Sequence, residues 1–205
     1  VRRRWLRHAQ LQLGLVTFGL GGALTLEAGI GVDPWSVFHE ALALLGGVTF
    51  GTMTVVVGML FVTINWWWLG IRPGLGTLFN LVLVGPWVDC FRALHSLPRS
   101  TGMLGILQFV VGLGLIGLAS GAYIAARLGA GPRDSFTLGL SRRFCLSVRS
   151  TRIGIEVCIL VLGWLLGGPV GLGTLLFAIG IGPLMQLSLR LFRYNDARAP
   201  PTSTT

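Results

Sequence analysis

In a chain of 205 residues that is 53% hydrophobic and only 11% charged, every ionisable side chain lodged in an apolar run asks for an explanation. Such groups are costly in lipid and normally face a bundle interior or a water-filled cavity. Arg152 and Glu156 lie four residues apart, so an intrahelical ion pair is within reach. With Arg133 and Asp134 they read as a polar cluster at the mouth of a pathway, where an arginine fork could hold a carboxylate, sulfonate or phosphate. A second reading makes the arginines topology markers that Glu156 merely neutralises. Glu27, Asp33, His39 and Glu40 form a corresponding set earlier in the chain. His39 could titrate near neutral pH and couple a cycle to protons, or be one polar residue on an amphipathic helix. Asp33 is most simply a helix N-cap.

Glycine and proline supply the other candidates. Gly31 and Pro34 in "GVDPWSVF" return as Gly129 and Pro132 in "GAGPRDSF", and "GLGT" occurs twice, with Gly74, Gly76 and Thr77 in the first copy and Gly171, Gly173 and Thr174 in the second. Each GLGT turn could offer free N–H groups to an anion at a helix start, or permit a tight turn and close packing.

No hydrolase, kinase or zinc-protease motif is present: there is no GxSxG, no HExxH and no P-loop, the chain having no lysine. The expectation is a protein with no catalytic residues, no metal and no cofactor. Cys90, Cys145 and Cys158 form no CxxC pair and read as buried packing residues.

The elements that must position these residues follow from hydropathy. Mean hydropathy is +0.76, and a membrane span needs roughly 20 mostly apolar residues. Six stretches qualify: 10–28, 50–69, 76–95, 104–126, 149–167 and 171–192. Two shorter ones, 34–46 and 132–143, open on proline at the first helical turn and are too short to cross. The net charge of +9 comes from sixteen arginines set beside apolar runs, which points to a membrane surface and away from nucleic acid. If residues 1–9 form a cytoplasmic basic N-terminus, six crossings place every arginine except Arg92 and Arg99 on the cytoplasmic side. Trp66, Trp67 and Trp68 then form an interfacial anchor, and 195–205 is a polar cytoplasmic tail expected to be disordered.

The chain is also internally repeated. A shift of 98 residues superposes Gly14, Leu15, Gly19, Ala28, Gly31, Pro34 and Phe38 on Gly112, Leu113, Gly117, Ala126, Gly129, Pro132 and Phe136. A shift of 97 superposes the GLGTL runs and Gly85-Pro86 on Gly182-Pro183. Each copy, 10–97 and 104–192, holds three spans and a short proline-led helix. Three crossings is odd, so the second copy enters from the opposite side, as in transporters whose sites lie between inverted halves. The expected class is an all-α polytopic membrane protein with a 3+3 inverted repeat. Glycines of the first and fourth spans, Gly14, Gly19, Gly112, Gly117 and Gly121 with Ala23, are expected to let those two helices approach closely.

"GIGVDPWSVFHEAL", "RPGLGTLFN", "GAGPRDSFTLGL" and "GTLLFAIGIGPLMQ" together resemble the YczE/YyaS/YitT-type bacterial integral membrane proteins, and the YczE branch above all, over residues 10–192. Ser36 departs from the acidic residue expected after Pro-Trp. The resemblance implies a multi-pass protein of the bacterial inner membrane and supplies no substrate. The functional expectation is a secondary transporter or exporter of a small metabolite, anionic or zwitterionic by its arginines, with the lipid bilayer as partner and homo-oligomerisation left open. The alternatives are a non-transporting anchor for a cytoplasmic enzyme complex and the substrate-binding subunit of a multi-component vitamin transporter.

Overall fold

A computed structural model describes residues 2–94, 97, 99–100, 102–129 and 131–192. The expected tail at 195–205, and Arg193 and Arg198 of the orientation argument, lie outside the described residues. Eight helices make up the described chain: α1 (Arg2–Glu27), α2 (Pro34–Gly46), α3 (Phe50–Trp67), α4 (Leu75–Ala93), α5 (Gly102–Ala125), α6 (Pro132–Arg143), α7 (Val148–Leu165) and α8 (Leu172–Leu191).

Local chemistry fixes the short helices where proline predicted them. Asp33 caps α2, its carboxylate accepting from Trp35 N–H and Ser36 N–H at 3.2 and 3.3 Å, while Pro34 occupies a first-turn position that needs no N–H. Pro132 opens α6 in the same way, without a side-chain cap. α1 begins eight residues before the apolar stretch, because nothing in "RRRWLRHAQ" breaks a helix. The basic N-terminus is therefore the first two turns of α1.

Four helices, α1 from Trp5, α3, α5 and α8, are long and apolar enough to cross a membrane. The other two expected spans carry the polar load. α7 holds Arg149, Arg152 and Glu156 in its first half, and α4 holds Asp89 and Arg92 in its last two turns.

Some contacts recur in both halves, α1 on α4 and α5 on α8 among them, whereas the α3–α4 contact has no counterpart of its extent between α7 and α8. α1 and α5 form the central seam and run antiparallel: Gln10 Nε2 donates to Ala122 O at 2.8 Å at one end, and Gln108 Nε2 donates to Leu24 O at 3.2 Å at the other. These two bonds are copies of each other under the 98-residue shift. The glycines divide their work. Gly14 lies against Ala119 and Tyr123, and Gly112 against Gly21 and Thr25, so both serve the α1–α5 seam; Gly19 faces Trp87 on α4, and Gly117 and Gly121 face Leu184 and Ser188 on α8. With Ala23, four of the six small residues expected between α1 and α5 thus pack against other helices of their own half instead. Ala23 packs with Phe50 and Val88.

The helix breaks are exchanged between halves. Gly173 N–H donates to Ile30 O, and Gly76 N–H donates to Leu128 O, both at 2.7 Å. Each GLGT turn therefore receives the loop before the other half's proline-led helix. α2 in turn packs on α7, and α6 on α3. All three cysteines are exposed, contrary to the expectation of burial: Cys90 and Cys158 lie on outward faces of α4 and α7, and Cys145 lies in the loop between α6 and α7.

Candidate functional site

The exchanged breaks meet at a cavity of about 110 Å³ in the middle of the bundle. α2 contributes Trp35, Ser36 and His39, with Asp33 at its cap; α6 contributes Pro132, Arg133 and Asp134. Phe18, Phe50, Phe61, Tyr123 and Phe177 complete the wall with Thr54 and Asn80. Asn80 and Phe177 are equivalent positions under the 97-residue shift, so one repeat position serves as an amide in one half and an aromatic in the other.

Arg133 is the pivot. Its Nη1 lies 3.9 Å from Asp33 Oδ1, across the junction of the halves, and its Nε lies 4.0 Å from Asp134 Oδ1. Tyr123 Oη donates to Asp134 Oδ2 at 3.1 Å, tying the carboxylate to the central seam. Burial opposes the Arg133 charge, but Asp134 and Asp33 outweigh it and hold the guanidinium above its ordinary range. Asn65 Nδ2 donates to Pro132 O at 2.9 Å and fixes the start of α6 against α3.

His39 is 9% exposed and sits among Trp35, Phe38 and Phe50. Thr54 Oγ1 donates to Phe50 O at 2.9 Å, so toward His39 Nδ1, at 3.5 Å, it can only accept. The Nδ1–H tautomer lets Thr54 keep its bond to Phe50 O, and none of the described residues supplies a partner to Nε2. Desolvation by burial, with Arg133 nearby, pushes this imidazole down from its ordinary 6.5 to about 3. Near neutral pH it does not titrate. Unfolded His39 binds a proton below about 6.5 and the folded form does not, so its contribution to stability is complete above that pH and is lost as pH falls toward 3. At pH 5 the loss is about 2 kcal/mol. Lowering pH from 7 to 5 is expected to reduce the thermal midpoint of the detergent-solubilised protein more than that of His39→Gln; equal falls would show that His39 is not the group responsible.

The remaining candidates lie elsewhere. Arg152 and Glu156 pair with each other at 3.0 Å on α7, each side chain 33% exposed, and neither lines the cavity. Glu27 belongs to a network the sequence did not suggest: Arg92 Nε reaches Glu27 Oε1 at 2.8 Å, Arg92 Nη2 reaches Glu40 Oε1 at 3.3 Å, and Arg99 Nε reaches Glu27 Oε2 at 3.1 Å. Gly31 rests on Gly171 and Thr174, and Gly129 on Gly74 and Thr77, with Gly76 and Gly173 accepting the same loops. The two N–H groups bound to Leu128 O and Ile30 O are thereby taken by protein carbonyls, which favours packing over anion binding at the GLGT turns.

Comparison with known proteins sets this site in a family. The "Family of unknown function (DUF6198)" profile matches residues 5–190. The chain belongs to DUF6198. It is 37% identical over 191 residues to the "Uncharacterized membrane protein YczE" of Bacillus subtilis (strain 168), covering 90% of this chain and 88% of that one. An "Uncharacterized protein" of Haemophilus influenzae (strain ATCC 51907 / DSM 11121 / KW20 / Rd) is 34% identical over 88% of this chain and 82% of its own, and the "Uncharacterized protein YyaS" of Bacillus subtilis (strain 168) is 27% identical over 89% and 92%. No solved structure matches. The resemblance to YczE and YyaS read from the motifs holds, and this DUF6198 chain is a multi-pass membrane protein homologous to a bacterial one. Its cavity residues all fall inside the matched region.

Proposed function

We propose that this protein is a secondary transporter of the bacterial inner membrane and not an enzyme. Its six spans form two inverted halves, 10–97 and 104–192, with both termini in the cytoplasm. The cavity between α2 and α6 is its substrate site. One observation carries the reading: two proline-led helix breaks, equivalent in the two halves, converge on one largely apolar cavity and bring Asp33 and Arg133 together in its wall. Discontinuous helices meeting at a repeat interface are how transporters expose backbone and charge to a substrate in mid-membrane. The antiparallel α1–α5 seam supports inversion. No motor motif is present in the sequence, so transport would draw on a gradient or on a separate partner.

The test needs no substrate. With Cys90, Cys145 and Cys158 replaced by alanine, Ser36→Cys in the cavity wall is offered a membrane-impermeant thiol reagent in right-side-out and in inverted vesicles. Reaction from both faces is the expected result, because a transport site opens alternately to each side. Reaction from one face only, or from neither, removes the transport reading.

A further inference from the structure

The cavity has a chemistry more specific than "small metabolite", and the inference drawn from it rests on the transport-site reading above. Two carboxylates, Asp33 and Asp134, face it against one guanidinium, Arg133, and both contacts are at the long limit of an ion pair. Neighbouring charges do not alter the sum: Arg152 is matched by Glu156, and Glu27 and Glu40 by Arg92 and Arg99. The positive ends of α2 and α6 offset part of this excess of negative charge, and Asp33 already accepts from two N–H groups of the α2 terminus.

The neutral groups then decide the sign of the ligand. His39 lines the cavity, is nine-tenths buried, and has no partner for Nε2 among the described residues; in the Nδ1–H tautomer that leaves Thr54 bonded to Phe50 O, Nε2 is an acceptor. A buried acceptor left unsatisfied costs roughly 1–3 kcal/mol, and a ligand that donates to it recovers that cost. The wall beside it is aromatic, with Trp35 and Phe61 edge to face at 5.1 Å between centroids. Aromatic faces attract cations and tolerate the apolar parts of a ligand. An anion would meet two carboxylates, a lone pair and these rings, with Arg133 already held between Asp33 and Asp134.

We propose that the cavity binds a small organic ammonium ion with N–H donors, its charge on the cavity side of the Asp33 and Asp134 carboxylates, one N–H on His39 Nε2 and its apolar part against Trp35 and Phe61. This replaces the anionic or zwitterionic substrate that the arginine content alone suggested.

Three probes that share a phenyl ring test it on the full chain in detergent: benzylammonium, benzyltrimethylammonium, which lacks N–H donors and carries a bulkier head, and benzoate. Titration calorimetry should show saturable binding of benzylammonium, binding of the trimethyl compound weaker by roughly tenfold, and none of benzoate. Asp33→Asn and Asp134→Asn should each weaken benzylammonium by at least about tenfold. Asparagine caps a helix as well as aspartate does, so the first variant removes charge without removing the α2 cap. Benzoate binding as tightly as benzylammonium, unchanged affinity in both asparagine variants, or no binding of any probe to monodisperse protein overturns the assignment. The two readings fail separately. Ammonium binding with one-sided reaction at Ser36→Cys keeps the site and removes transport; two-sided reaction without ammonium binding does the reverse.

Discussion

Replacing Gly31 with alanine is expected to lower the thermal midpoint by about 10 °C or more, on the scale where 1 kcal/mol moves a domain of this size by about 2–4 °C. Two costs combine. Gly31 has φ +97°, a conformation that L side chains rarely adopt, and an added Cβ would drive into the backbone of Gly171. The neighbouring chain cannot yield cheaply, because Gly173 N–H is bonded to Ile30 O at 2.7 Å in the same crossing. A substitution at Gly31 therefore pushes the two halves apart where they exchange loops. Gly129, its counterpart, has φ +128°, and its added Cβ would lie 3.0 Å from Thr77 Oγ1 and 3.2 Å from Gly74 Cα, milder approaches than those at Gly31, so Gly129→Ala should cost less. Gly47 ends α2 at φ +61° with nothing within reach of a Cβ, and Gly47→Ala should cost only the left-handed penalty of about 1 kcal/mol. Thermal unfolding of the three variants should give the order Gly31, Gly129, Gly47. A Gly31→Ala protein as stable as Gly47→Ala would mean that the loop exchange does not hold the halves together.

The existence of that crossing could not be read from the sequence, although its parts could. Pro34 and Pro132 fixed the starts of α2 and α6 to the residue, because proline at a first turn has one physical meaning. The repeated GLGT runs and G-x-x-P marks were equally visible. Which turn receives which loop was not, since periodicity assigns a face to a helix but no partner to the face. Gln10 and Gln108 are a missed signal: each is a polar residue in an apolar stretch, they are related by the same 98-residue shift, and both bond across the seam. Tyr123 was read as part of an apolar run, yet its hydroxyl had to find a partner if buried, and Asp134 lies eleven residues on. Asp89 was passed over too; it accepts from Gly51 N–H at 3.0 Å and so supports the first turn of α3 from α4. The set Arg152, Glu156, Arg133 and Asp134 divided because Arg133 and Asp134 turn toward Asp33, while an i,i+4 pair satisfies itself on its own helix.

Arg92 and Arg99 entered the sequence argument only as exceptions to a charge rule, and the structure gives Arg92 a larger part. Its guanidinium is shared by Glu27 at the end of α1 and Glu40 on α2, whose side chains are 10% and 16% exposed. Removing it leaves Glu40 with no ion-pair partner among the described residues and Glu27 with Arg99 alone, a loss of about 3 kcal/mol by the behaviour of buried pairs deprived of one partner. Arg92→Gln should accordingly show a large fall in thermal midpoint. Adding Glu40→Gln should restore part of it, because the second change removes the stranded charge. Arg99, 85% exposed, and the Arg152–Glu156 pair on the surface of α7 provide the contrast, with Arg99→Gln and Arg152→Gln expected to change stability by less than about 1 kcal/mol. The same network ties α2, which carries one wall of the cavity, to α1 and α4. If it latches that end of the molecule, Arg92→Gln should raise the rate at which Ser36→Cys reacts from the face nearest Glu27 and leave the rate from the opposite face unchanged. Equal acceleration from both faces would identify a general loosening of the bundle, and no acceleration would leave Arg92 a purely structural tie.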